Sequence, residues 1–274
     1  MVKLYKIELK KLLTYSTFWV FISIITGLFL LFSFLMAIFE INFMFGGADY
    51  NNQFNFQNLL KFPHVYNTLS WVASWFNMLL TLLIIIMVTN EFSYRTYKQH
   101  VIDGLLRHEL ITAKLMVIVG ISIIFSIIVW LASVVYGFIY SEPENYAQFF
   151  TNSYLIFVYF LQTIAYMSVG LFIAIAFRSV SLSIIIYFGY LIFEGIFALI
   201  LRFTEMNIYK FLPAKIIRGL TPTPDIDVVM NTKQIAESLE NAGDITLWQH
   251  SLIALLYSVI FIALSYYITN KRNL

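Results

Sequence analysis

Apolar residues in this chain run in continuous blocks rather than in stripes. Six blocks stand out, at about Thr17–Phe39, Tyr66–Val88, Leu115–Tyr140, Tyr154–Phe177, Leu182–Leu201 and Trp248–Ile268. Each supplies the roughly 20 apolar residues that a helix needs to cross about 30 Å of hydrocarbon. A membrane β-barrel would alternate apolar and polar residues with a period of two, whereas these blocks are apolar on every side. The first block is too long for a signal-peptide core, and no small-residue cleavage site follows it. The pattern predicts an all-α membrane protein, one domain over residues 1–274, with six transmembrane helices.

Composition strengthens that reading. Hydrophobic residues make up 60% of the chain and charged residues 12%, with a mean hydropathy of +0.80. Soluble domains carry about 25% charge, so a soluble enzyme, a nucleic-acid binder and a disordered chain all fit poorly. The net charge of +2 is too small to suggest a partner. Without cysteine there is no disulfide, thiolate metal site or thiol nucleophile.

Where the charges fall sets an orientation. With both termini in the cytoplasm, inner segments hold Lys3, Lys6, Lys10, Lys11, Arg95, Lys98, Arg107, Lys114, Arg178, Lys271 and Arg272. Outer segments hold Lys61, Arg202, Lys210, Lys215, Arg218 and Lys233, mostly in one long loop where the rule loses force. The predicted location is the cytoplasmic (inner) membrane.

Two segments between blocks have a pattern of their own. In Met1–Ser16, Lys3, Lys6 and Lys10 fall within ~60° of each other at helical spacing, opposite Leu4, Tyr5, Leu9, Leu12 and Leu13. That predicts a basic amphipathic helix lying in the inner interface. The segment Asn90–Lys114, between the second and third blocks, is far more charged than the rest. Glu91 and Arg95 stand at i and i+4 and can pair on one helix face. Val101, Ile102, Leu105 and Leu106 form an apolar stripe beside Asp103, Arg107 and His108, and Gly104 allows a break. The stripe fits a short amphipathic helix offered to a cytoplasmic partner, or one packed on its own bundle.

At these residues the chain resembles bacterial permeases of the type 2 ABC exporter superfamily. Those proteins have six spans, an amphipathic N-terminal elbow helix, and a cytoplasmic coupling helix after the second span. Their segment there commonly holds a Glu, a Thr about five residues later, and an Arg and a Lys about seven residues apart leading into the third span. Glu91, Thr96, Arg107 and Lys114 are similar in type and spacing. Where the family often has Gly this chain has Arg95, and where it often has Pro-Val-Ser this chain has Leu105-Leu106. The resemblance implies that Tyr97–Leu106 docks on a separate ABC ATPase subunit through Val101, Ile102, Leu105, Leu106 and Arg107. It also implies a second permease chain, identical or paralogous, and no cofactor in this chain.

The remaining segments are less specific. Glu40–Pro63 mixes Phe43, Phe45, Phe54 and Phe56 with glycine and asparagine, and suits interface packing or a substrate gate. Trp71 and Trp75 at the start of the second span suit an aromatic belt. Thr204–Leu247 predicts an outer cap or a surface loop, with a short polar helix over 232–241. Small residues Ser168, Gly170, Ala174 and Ala176 allow close helix approach on the fourth span. Glu194 is the ionisable residue deepest in a span, an intramembrane polar site with Tyr187, Tyr190, Gln162 and Arg202 as candidate partners. It belongs either to a substrate or proton path or to a structural hydrogen bond.

Enzyme signatures are missing from the sequence. There is no G-x-x-x-x-G-K-[ST] loop, no H-E-x-x-H and no G-x-S-x-G. His64, His100, His108 and His250 are too dispersed for a metal site. Two function classes remain: a non-enzymatic permease subunit driven by ATP hydrolysed elsewhere, or a non-transporting membrane protein such as a sensor, assembly factor or unrecognised membrane enzyme. The lipid bilayer is a partner in both, and nucleic acid in neither.

Overall fold

The computed structural model describes residues 10–38, 40–42, 53–94, 96–102, 104, 106–204, 206–224 and 246–271. Helices dominate. In chain order they are α1 (Ser16–Ile38), α2 (Val65–Trp75), α3 (Asn77–Ser93), α4 (Thr96–Ile102), α5 (Arg107–Tyr140), α6 (Tyr154–Phe177), α7 (Val180–Phe203), α8 (Pro213–Arg218) and α9 (Leu247–Lys271). A small antiparallel ribbon, β1 (Glu40–Asn42) with β2 (Gln53–Asn55), follows α1. Five helices, α1, α5, α6, α7 and α9, are long and apolar enough to cross a membrane.

The second apolar block forms a bent pair instead of a straight span. α2 and α3 meet at Phe76 with a 41° bend, and counted as one span they make six. Neither Pro nor Gly sits at the break. The Phe76 N–H bonds the Ala73 carbonyl at 3.0 Å, a tightened turn, and the next helix restarts from Asn77. The Asn77 side chain leaves the helix to reach α6, donating to Gln162 Oε1 at 3.3 Å and accepting from Thr163 Oγ1 at 3.1 Å. These bonds tie the bend to α6.

α6 is the centre of the bundle. It packs against α3, α5 and α9, and its apolar window is the most buried of the five. Its small residues allow this. A Cβ on Gly170 would come within 2.6 Å of Thr81 Cγ2 on α3, so the two helices approach at a distance only glycine permits. Ser168 and Ala174 are fully buried beside it. α1, α7 and α9 are outer helices, exposing Trp19, Phe34, Phe193, Ile196, Leu256 and Val259. Such faces suit hydrocarbon or a second apolar surface, not water.

Neighbouring helices alternate in direction. Residues 10–14 and the end of α9 lie at the same end of the bundle, with the α3–α4–α5 turns. The opposite end carries an aromatic plug in which Phe62 lies 5.4 Å from Phe138 and 5.5 Å from Phe149, ring to ring. Ser141 Oγ accepts the Phe62 N–H there at 2.8 Å.

Candidate functional site

Three groups of polar residues are built into this frame. The first is at the N-terminal end of the bundle. Glu91, in the last turn of α3, is buried and held by two ammonium groups, Lys11 from the first described helical turn and Lys114 from α5 at 2.5 Å. Lys114 is itself buried, while Lys11 is partly open to solvent. The expected i,i+4 partner, Arg95, lies outside the described residues. The two partners seen come from 80 and 23 positions away. One carboxylate ties three segments together. Residues 1–9 lie outside the described residues.

Around this clamp the chain turns into α4. Thr96 Oγ1 donates to the Glu91 carbonyl at 3.2 Å, closing the end of α3. Asn90 Nδ2 donates to the Tyr15 hydroxyl at 2.6 Å, a second tie to the N-terminal segment. Tyr97 is buried and stacks on Phe92 with centroids 4.6 Å apart, and Arg178 covers the other part of that ring at 5.3 Å. Burial pushes the Tyr97 hydroxyl up to about 12, so it stays protonated beside Thr269. α4 is thus anchored through Tyr97. Ile102 at its end is 82% exposed and Leu106 is 56% exposed.

The predicted stripe is divided. α4 stops at Ile102, Gly104 takes φ +93°, and Leu106 is extended as the residue that precedes α5. Glu109 accepts the Leu106 N–H at 3.1 Å and caps α5. Ile102 and Leu106 therefore lie on either side of a turn rather than on one continuous helix. The Val101 side chain and Leu105 lie outside the described residues. Arg107, expected beside that stripe, reaches across to α9. Its guanidinium donates to the carbonyls of Thr269 and Asn270, both at 3.3 Å, and closes the C-terminal end of α9. A cation at a helix C-terminus satisfies carbonyls that have no intrahelical partner.

The second group is the buried polar seam at the α2–α3 bend. Gln162 Nε2 donates to the Ile217 carbonyl and to Thr221 Oγ1, each at 2.9 Å. Gln162, Asn77, Thr163 and Thr221 are all buried and satisfy one another. Gln162 is consequently a partner of the bend and of the segment after α7, not of Glu194. Trp71 and Trp75, 5.0 Å apart, do not begin the span; they end α2 and line a cavity of 400 Å³ with Tyr166, Tyr187 and Arg218.

Glu194 is the third group. It is buried on α7, and its Oε1 accepts the Lys215 backbone N–H at 3.0 Å. Lys215 lies in the first turn of α8, so this carboxylate caps a short helix folded back into the bundle. Ala214, Ile216, Ile217 and Leu220 from that segment are buried. Tyr190, one turn earlier on α7, interacts with the same carboxylate. Of the partners predicted from sequence, Tyr190 is a neighbour on the same helix that makes no hydrogen bond to the carboxylate, and Arg202 borders the same cavity. The true anchor, a backbone N–H in an outer segment, carries no side-chain signal in the sequence.

No protein-family model and no curated protein matches the chain. Among the described residues no group of three or more His, Cys, Asp or Glu could hold a metal ion.

Proposed function

We propose that this chain is the permease subunit of an ABC transporter of the type 2 exporter kind, with six spans, both termini in the cytoplasm, an N-terminal elbow helix, and ATP hydrolysed by a separate subunit. The observation that carries the reading is the α3–α4–α5 turn. α4 is anchored by the Tyr97–Phe92 stack, and Ile102 at its end and Leu106 beyond the turn are exposed. Exposed apolar residues beside a rigid anchor suit a cleft on a partner.

The anchor also gives a route for force. A push on α4 reaches α3 through Phe92, and reaches α5 and the N-terminal segment through the Lys11–Glu91–Lys114 clamp. The Arg107 contact carries the same motion to the end of α9. In a dimer of permease chains, closure of two ATPase subunits would then tilt helices together between inward- and outward-open states. The bent α2–α3 pair, sealed by side-chain bonds rather than by a continuous backbone ladder, is the natural hinge.

The test is recruitment. Ile102→Ser with Leu106→Ser changes two exposed side chains, so insertion and thermal stability should match the wild type. Co-purification with a co-expressed ABC ATPase subunit that binds the wild-type chain should fall by at least about tenfold, since interface anchors cost about 1–4 kcal/mol each. A double variant that still binds the ATPase at full strength would sink the coupling assignment.

A further inference from the structure

Three cavities share lining residues around α8. One of 270 Å³ is lined by Glu194, Arg202, Lys215 and Arg218 together with the apolar residues Leu191 and Leu199. Lys215 also borders a 360 Å³ cavity with Lys210 and His250, and Arg218 also borders the 400 Å³ cavity beside Trp71 and Trp75. Among the described residues Glu194 is the one carboxylate lining any of the three. Its Oε1 is already engaged by the Lys215 N–H. The Lys215 ammonium sits over the Tyr209 ring at 3.9 Å, at the mouth of the same cavity.

This concentration of cations needs a reason. The chain is 12% charged, and four of its basic residues gather here, at the bundle end opposite the N-terminus. The surroundings are not those of a water-facing loop. Phe203, Met206, Ile208 and Phe211 are exposed between the cations, and the stacked Phe193–Phe197 pair faces outward from α7 next to the cavity. One wall is hydrocarbon-like and the other guanidinium and ammonium. Gly195 lies between the two, where an added Cβ would meet nothing within 4 Å, so the slot opens along α7.

We infer that this cavity binds the phosphate-bearing headgroup of an anionic amphiphile, with the phosphate on Arg202, Lys215 and Arg218 and the hydrocarbon along Leu191, Ala198 and Leu199. Arginine forks match phosphate oxygens in pairs, and the lysine adds a point charge. A volume of 270 Å³ is close to the lower bound of about 300 Å³ for small-molecule sites and fits a headgroup, leaving the chains outside on α7. A free phosphate ion shares the charge chemistry but makes no use of the apolar wall.

Native mass spectrometry of the full chain in detergent tests this without any ATPase, so its outcome is independent of the coupling assignment. Dioleoyl-phosphatidylglycerol should bind at least about tenfold more tightly than the phosphatidylcholine of the same chains, as basic residues near a headgroup each favour anionic lipid by about 1 kcal/mol. Replacing Arg202, Lys215 and Arg218 together by Gln should remove most of that preference. Arg202→Gln alone, an exposed side chain at the end of α7, should lower it by about threefold to fivefold. Lys61→Gln, in the aromatic-plug region, should leave it unchanged. Equal retention of the two lipids, or a triple variant that keeps phosphatidylglycerol like the wild type, would overturn the site. Complete displacement of the lipid by millimolar inorganic phosphate would overturn the amphiphile assignment in favour of a free anion.

Discussion

Glu91 and Glu194 are both buried carboxylates on apolar helices, and they are held by different chemistry: Glu91 by two ammonium groups, Glu194 by one backbone N–H on Oε1, with Oε2 making no hydrogen bond. Glu91 has two ammonium partners, so its charge is compensated and the arrangement depends on that charge. Removing one member of a buried ion pair costs about 3–5 kcal/mol because the other is stranded. Glu91→Gln should therefore lower the thermal midpoint in detergent clearly, with the cost reduced by the solvent access of Lys11. Lys114→Met should be worse than Lys11→Met, because Lys114 is buried and Lys11 is not. Equal effects from the two lysines would contradict that ranking. Glu194 is engaged by a backbone N–H, for which a neutral amide oxygen serves almost as well. Glu194→Gln should keep the fold, whereas Glu194→Leu should cost about 1–3 kcal/mol by orphaning the Lys215 N–H. Hydrogen exchange over 213–218 would report the loss directly.

At the scale of elements, three features decide how helices sit against one another. Gly170 sets the α3–α6 distance, and Gly170→Val would press a branched side chain onto Thr81, costing about 1–3 kcal/mol or more through a backbone shift. The α2–α3 bend depends on side chains, so Gln162→Leu should leave Asn77 and the Ile217 carbonyl short of partners and loosen α8 together with the bend. A crosslink between residues of α2 and α8 that forms as readily in that variant as in the wild type would count against the linkage. Arg107 closes α9, and Arg107→Ala should fray its last turn at a cost of about 1 kcal/mol, visible as faster exchange over 265–271. The elements themselves were readable. The sequence blocks 17–39, 154–177 and 182–201 lie within two residues of α1, α6 and α7, because an unbroken apolar run that must satisfy its own backbone has few alternatives to helix. The third block begins eight residues late, since helix continues through polar residues once it leaves the lipid, and Arg107–Lys114 carries no hydropathy signal. The bend at Phe76 was hidden, because the side chains tied to it are on another helix.

For the whole molecule, one chain is half of what the proposed transporter requires. The prediction is a complex of two permease chains and two ATPase subunits, measurable by mass in detergent or nanodiscs. A stable monomer that binds no ATPase would argue for a stand-alone membrane protein instead. The open faces of α1, α7 and α9 leave room for both lipid and a second chain. The sequence by itself determined the all-helical membrane class and the approximate place of each apolar helix. These follow from solvent alone: hydrocarbon accepts neither charge nor unpaired backbone, and that constraint is local in sequence. Only the tertiary structure decided that Glu91 meets Lys11 and Lys114, that Gln162 serves the bend, that Glu194 caps α8, and that Arg202, Lys215 and Arg218 line one cavity with Glu194. Hydropathy measures transfer into a medium and says nothing of which distant donor meets which acceptor; that choice belongs to packing, and packing places residues 80 positions apart in one ion pair.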